Sequence, residues 1–367
     1  MIPFVDLRLQ YESIQQEIDQ AVKEVFTNAQ FIGGEPVEKF ENDFAALFGV
    51  NHCIGTGNGT DSLYLILKAL GVGLGDEVIT PAFSCMPSAE CITLTGGTVV
   101  FAEVDEKHYT LNPADVERKI TPKTKAVIAV HLYGQAAAVT QLKEICDKHK
   151  IFLVEDCAQA HLTKENNHLA GTVGIASAFS FYPTKNLGAY GDAGCVLTQD
   201  AQLAEKIRRL ANHGALKKDD HRIEGTNSRL DTLQAAILSV KLRHLQKWNA
   251  RRIEIAALYS SLLQDVSALA IPLVRKNTTH TFHLYVIQTV KRDALKKYLA
   301  EKGIETIVHY PEALPFTQAY KSKDHKLIEF PVSAQLQHKS LSLPVHPGLT
   351  HEQVTFIARN IHDYFLG

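Results

Sequence analysis

The sequence predicts an α/β protein: a mostly parallel sheet covered by helices on both faces, with a smaller α+β domain towards the C-terminal end. Three observations lead there. Between Asn51 and Thr198, short runs rich in Val and Ile alternate with helical patterns. Those runs are apolar almost throughout rather than at every second residue, the pattern of strands buried on both faces. After Pro272 the pattern changes to a short strand–helix–strand–helix group.

Strands are expected, in order, over residues 52–55, 77–80, 99–104, 126–132, 151–156, 176–181 and 194–197, which makes a seven-stranded sheet. Between them, residues 60–70 and 141–149 carry apolar residues at helical spacing. Residues 231–263 read as one long helix, or as two joined by a kink. A strand over 283–290, a helix over 292–302, a further strand near 304–308 and a last helix from His351 complete the chain. The segments 217–222 and 321–325, rich in Asp, Lys and His, are expected as exposed loops. The division that follows is a large domain over 1–245, which includes an N-terminal helical segment, and a smaller one over 246–367.

Composition excludes several function classes. With 367 residues, 45% hydrophobic and 21% charged, the chain has the balance of a folded globular protein. Its formal net charge is −2 and no basic block interrupts it, so neither nucleic acid nor an anionic membrane is an expected partner. No stretch approaches a membrane-spanning helix, and Met1–Asp6 lacks the pattern of a leader, so a cytoplasmic location is expected. Six cysteines occur without a CxxC pair, which suits reduced thiols and gives no metal-ligand spacing; no metal is expected. The 17 histidines are mostly isolated and are read as surface or satisfied core residues.

Three features could carry chemistry. The first is Gly55-Thr56-Gly57-Asn58-Gly59-Thr60-Asp61, between a strand and a helix. Glycines let a backbone approach an anion, and a helix N-terminus supplies N–H donors. A plain turn capped by Thr60 or Asp61 would look the same. The second is Glu155-Asp156 at the end of an apolar strand, where α/β folds bind ligands. Alternation sends these two carboxylates to opposite faces, so at most one enters a given site. The third is Ser180-Phe181-Tyr182-Pro183-Thr184-Lys185-Asn186-Leu187-Gly188. Lysine is ordinarily a solvated residue, but here it stands alone in an aromatic, proline- and glycine-rich run that can restrict water and lower its pKa. An anion cradle, a carboxylate and an activated lysine at strand ends of one sheet are the parts that a phosphorylated pyridine aldehyde needs.

Together these motifs make the chain resemble the DegT/DnrJ/StrS family of pyridoxal-phosphate-dependent sugar aminotransferases, of the type I (aspartate-aminotransferase) fold. The resemblance runs from Phe4-Val5-Asp6-Leu7 through Glu155-Asp156-Cys157-Ala158-Gln159 and the lysine motif to Asn227-Ser228-Arg229-Leu230-Asp231. It implies that Lys185 forms the imine with pyridoxal 5′-phosphate, that Asp156 pairs with the pyridine nitrogen and that Gln159 lies near the cofactor's hydroxyl. It further implies that Gly59, Thr60 and Ser180 hold the phosphate, joined by Asn227 from the neighbouring subunit of a homodimer. The family usually sets an aromatic residue against the ring where this chain has Cys85, and Phe83 would compensate if the preceding strand continued. Small residues often follow the His161 position, whereas Leu162-Thr163-Lys164 follow here. Arg229, His309 and Tyr310 are candidates for contacting substrate.

The lysine motif with Gly191-Asp192-Ala193-Gly194 is similar to the branch that aminates carbon 3 of nucleotide-linked keto sugars. The implied substrates are L-glutamate and a dTDP-3-keto-6-deoxyhexose, in deoxyamino-sugar biosynthesis, with a UDP-linked 3-keto-N-acetyl sugar as the alternative. A dehydratase of the same fold would carry histidine in place of Lys185, and a regulatory protein that kept the cofactor pocket is a further alternative.

Overall fold

The computed structural model describes residues 1–366. Its main sheet contains β1 (His52–Thr56), β2 (Glu77–Pro81), β3 (Thr98–Ala102), β4 (Thr124–Val130), β5 (Phe152–Asp156), β6 (Ala176–Ser180) and β7 (Gly194–Thr198). The spatial order is β1-β7-β6-β5-β4-β2-β3. The strands β2 to β6 pair in parallel, while β7 runs antiparallel to both β1 and β6. All seven expected strands are present, with ends displaced by at most two residues.

Why the strands read as continuous apolar runs is plain from their packing. Val127, Ala129 and Leu153 enter one core with Leu142 and Cys146 of the helix Val139–His149. Ala126, Ile128, Val130, Val154, Ala176 and Ala178 enter the core on the other face, with Leu63 and Ile66 of the helix α2 (Gly59–Ala69). Alternate residues therefore serve opposite faces, and both faces are covered. A third cluster backs β6. On α1 (Glu35–Phe48), Phe40, Phe44 and Phe48 recur every fourth residue and form one stripe. Phe44 meets Phe179 and Phe181 edge-on at 5.2 and 5.4 Å, and Phe48 meets Phe179 at 5.0 Å. Each such buried ring contributes about 1.5–3 kcal/mol, so the strand that leads into the lysine motif is firmly seated.

The kink expected within 231–263 is a break between two helices, α3 (Thr232–Leu242) and α4 (Leu245–Leu263). Ile255, Tyr259 and Leu263 of α4 form a second main core with Leu295, Leu299, Ile357 and Ile361 around the antiparallel pair β8 (Tyr285–Gln288) and β9 (Ser340–Leu343). The strand expected near 304–308 is corrected here: that segment makes only single bridges, Ile304 to Ile2 and Ile307 to Ser342, and β9 is the partner of β8. Ile307 exchanges both backbone hydrogen bonds with Ser342 of β9, at 3.3 and 2.8 Å, while the 303–305 end serves the N-terminus. Ile2 N–H donates to Gly303 (2.7 Å), Glu305 N–H to Ile2 (3.1 Å), and Phe4 N–H to the Glu305 carboxylate (3.0 Å). Residues 217–222 are mostly exposed turns, whereas Lys321–Lys323 ends a short 3-10 helix, Gln318–Lys323, rather than lying in a loop. Among the described residues no helix is long and apolar enough to cross a membrane.

Candidate active site

The carboxyl ends of β5 and β6 set the site. Asp156 lies beside Ala178 in register, and alternation turns Asp156 and Ser180 to the face that carries α2. The turn from β1 into α2 is pressed onto this edge. Gly194 of β7 stands opposite both Thr56 and Ser180. A methyl group on Gly194 would lie 2.5 Å from the Asn58 carbonyl, and one on Gly59 would lie 2.7 Å from Ser180 Cβ. Only glycine permits either approach. The helix cap is Asn58, not Thr60 or Asp61: its Oδ1 accepts from Asp61 N–H at 2.8 Å. The N–H groups of Gly59 and Thr60 thus point off the helix end without an intrahelical acceptor, next to the Thr60 and Ser180 hydroxyls. Ser228 bolts the turn from outside, accepting from Gly57 N–H (3.0 Å) and donating to Asp61 Oδ2 (2.6 Å).

Gly59→Ala tests this cradle. Overpacking of this kind costs about 1–3 kcal/mol, so phosphate-ester affinity should fall roughly ten- to hundredfold. Titrating apoprotein with cofactor measures that loss; an unchanged Kd would show that the turn yields freely.

A cavity of about 500 Å³ is lined by Gly59, Thr60, Cys85, Asp156, Gln159, Ser180 and Lys185 together. Burial pulls the Lys185 amine below its ordinary value, against the pull of Cys85 and Asp156. Asp156 is 7% exposed, and its Oδ1 accepts from Ala158 N–H at 3.0 Å. Burial raises its pKa, although the Ala158 hydrogen bond and Lys185 act in the other direction. A carboxylate in this state gains by meeting a cation. Glu155 faces away, as alternation demands. Burial pushes its pKa up, but a hydrogen bond from His131 (3.0 Å) and those from the Gly171, Val173 and Gly174 N–H groups outweigh this and hold it low. Those bonds also occupy both Glu155 oxygens in the cluster with His131 and Cys157, whose ligating atoms lie within 4.8 Å of one another.

The remaining expected residues divide. Gln159 accepts from Tyr133 N–H (2.6 Å) and donates to the Tyr310 hydroxyl (2.9 Å), which seats Tyr310 behind the cavity wall. His309 Nδ1 lies 2.8 Å from Ser342 Oγ, and burial together with Lys185 lowers its pKa to about 4. Cys85 lines the cavity and is exposed to it. Phe83 does not compensate for it: β2 ends at Pro81, and Phe83 turns into the core against Tyr310, ring centroids 6.2 Å apart. Asn227 and Arg229 lie outside their own chain's cavity; Asn227 is exposed, and Arg229 donates to Asn212 Oδ1 (3.0 Å). Two histidines break the expectation of satisfied core residues. His161, packed on Phe179 and Phe181, and His346 are buried with both ring nitrogens unpartnered. Thr163, after His161, spans to the C-terminal part through Thr281 Oγ1 at 2.8 Å.

Residues 12–362 match the DegT/DnrJ/EryC1/StrS aminotransferase family. The chain belongs to that family. The aminotransferase is 42% identical over 366 residues to a pleiotropic regulatory protein of Geobacillus stearothermophilus, covering 99% of this chain and 98% of the relative. It is also 42% identical over 364 residues to the dTDP-3-amino-3,6-dideoxy-alpha-D-galactopyranose transaminase of Aneurinibacillus thermoaerophilus, with 99% of each covered. Among solved structures, DesV of S. venezuelae matches with a TM-score of 0.97 at 39% identity, covering 99% of this chain and 98% of that one. The architecture is the expected type I transferase fold, and the cofactor is pyridoxal 5′-phosphate. The cavity fits that group: a glycine-only cradle for a phosphate, a buried carboxylate for a ring N–H and a buried amine for an aldehyde. Ser228 and the Asn58 cap escaped sequence reasoning. Their signals were present, in the Asn227-Ser228-Arg229 motif and in Asn58 three residues before Asp61.

Proposed function

We propose that the aminotransferase moves the amino group of L-glutamate to carbon 3 of a nucleotide-linked keto sugar, a dTDP-3-keto-6-deoxyhexose. The observation that carries this is the convergence of Lys185, Asp156 and the Gly59–Ser180 cradle on one cavity. Likeness to the Aneurinibacillus transaminase supports carbon 3 and the dTDP-linked class. When bound, pyridoxal phosphate supplies an aldehyde that takes up the amine and a protonated ring that draws electrons from the neighbouring carbon. Gly59, Thr60 and Ser180 would hold the phosphate end. Asp156 keeps the ring nitrogen protonated. The Lys185 amine is the group that would carry a proton from the donor carbon to the cofactor's aldehyde carbon and, in the return half, from there to the sugar carbon. Gln159, oriented by Tyr133 and Tyr310, would lie near the cofactor's hydroxyl.

In the same reading the protein is a cytoplasmic homodimer with shared sites. Asn227 is exposed and outside its own cavity, which supports a role at the partner's phosphate. Arg229 and the His309-Tyr310 pair are the candidates for contacting the donor carboxylate or the sugar nucleotide.

Holoenzyme mixed with glutamate should lose its yellow colour and regain it on addition of the keto sugar. A mass-spectrometric screen of dTDP- and UDP-linked 3-keto and 4-keto sugars should give a 3-amino dTDP sugar. The absence of any aminated product would reject the reading, and a product from UDP sugars alone would replace the nucleotide.

A further inference from the structure

Lys185 also lines a second cavity, of about 570 Å³, together with Thr184, Lys247, Arg252 and His346. A smaller one of about 110 Å³ shares Thr184, Arg252 and His346 and is closed by His283 and His309. Arg252 projects from α4 and is 5% exposed. Among the described residues it has no carboxylate partner. Its Nη1 donates only to the carbonyls of Phe282, His283 and Val345, at 3.3, 3.4 and 2.9 Å, and its Nε is unpartnered. His346, also 5% exposed, leaves both ring nitrogens unpartnered beside it.

A buried cation without a counter-charge is costly, and a buried donor without an acceptor adds to the cost. Burial lowers the Arg252 pKa to about 10. Burial also takes His346 down to about 4, with Arg252 acting in the same direction. At neutral pH the imidazole is therefore uncharged and has an N–H to give. Asp6 and Glu12 line the larger cavity, but the small one, where Arg252 and His346 meet, has no carboxylate on its walls.

We infer that Arg252 and His346 form a binding site for a carboxylate of the amino-acid donor. This rests on the proposed transamination and names how its first substrate is held. A dicarboxylic amino acid that brings its amine to Lys185 carries one carboxylate on the same carbon and another at the end of its side chain. The small cavity adjoins Thr184, the residue before Lys185, and the buried Phe4, Leu284 and Val345 give it apolar walls. Dry surroundings strengthen the ion pair. A nucleotide diphosphate, broad and strongly hydrated, suits this closed space poorly.

The test titrates holoenzyme with glutarate, a dicarboxylate without an amine, by calorimetry. Arg252→Gln should weaken glutarate at least about tenfold. It should raise the glutamate concentration for half-maximal loss of the cofactor's visible absorbance by a similar factor, with dTDP affinity unchanged. Because Arg252 also holds three carbonyls, His346→Ala is the companion variant. It leaves the three carbonyl contacts of Arg252 in place and should weaken glutarate about fivefold. Glutarate affinity within twofold of wild type in both variants overturns the inference, as does a loss confined to dTDP. If wild-type holoenzyme binds glutarate but glutamate leaves its spectrum unchanged, the transamination reading fails while the carboxylate site stands.

Discussion

Replacing Lys185 by alanine removes turnover while leaving the sheet intact. The side chain projects into the cavity, and the loop's ties are made by backbone: Lys185 N–H to Tyr182 (2.8 Å), Ala189 N–H to Phe181 (2.7 Å) and Phe181 N–H to Ala193 (2.8 Å). Alanine keeps all three. What disappears is the amine that holds the aldehyde and carries the proton between carbons. Proton transfer by a positioned side chain contributes about 10²–10⁴-fold, and the covalent anchor goes with it, so a loss of at least roughly a thousandfold is expected. Its measure is single-turnover loss of cofactor absorbance with glutamate, with circular dichroism to confirm the fold. Wild-type turnover in Lys185→Ala would end the mechanism. The pH dependence has a defined sign. Attack on the aldehyde needs the neutral amine, and burial lowers the Lys185 pKa. Attachment of the cofactor should persist to lower pH than for a solvated lysine and be lost only as pH falls through the depressed value.

Asp156→Asn should be the second most damaging change. Asparagine has nearly the same shape and can still accept from Ala158 N–H. It cannot hold a proton on the ring nitrogen, because it brings no negative charge. The unpaired, buried Asp156 has its pKa raised by desolvation, and that penalty is relieved when a pyridinium pairs with it. Loss of a preorganised charge at a reacting centre costs roughly 10²–10³-fold in kcat. Cofactor binding should weaken far less, since the phosphate cradle and Lys185 are untouched. Comparing kcat with the cofactor Kd separates the two. A fall in affinity alone, with normal kcat at saturating cofactor, would give Asp156 a binding role only.

Much of this arrangement was legible in the chain, for physical reasons that differ from element to element. The seven strands stood out because both faces of the sheet are covered, so each is an unbroken apolar run. Strand ends and alternation put one of Glu155 and Asp156 on the same edge as Ser180 and the lysine loop after it, and the family resemblance selected Asp156. The strand Ser340–Leu343 was hidden because its Ser-Leu-Ser-Leu pattern is short and follows directly on the helix Pro331–Lys339. Residues 304–308 misled because their apolar spacing fits a strand, while their hydrogen bonds are split between the N-terminus and a single bridge to Ser342. Phe83 seemed available only while the strand was assumed to run past Pro81. Arg252 and His346 were invisible for a different reason. They meet across ninety-four positions of sequence, and within the helical run Trp248-Asn249-Ala250-Arg251-Arg252 nothing distinguishes the buried arginine from its paired neighbour Arg251.

The reversed direction of β7 bears on how this chain can change over time. Because β7 opposes β6, the chain that leaves Ser180 returns beside it at Gly194, and Phe181 and Ala193 are bonded across the base of the excursion. Surface connections are ordinarily where lineages gain and lose residues. This one is closed at its foot, and an added residue would displace Lys185 from the edge shared with Asp156. Length variation is therefore expected to accumulate in outlying stretches such as 217–222, while the span from Ser180 to Gly194 keeps a constant count.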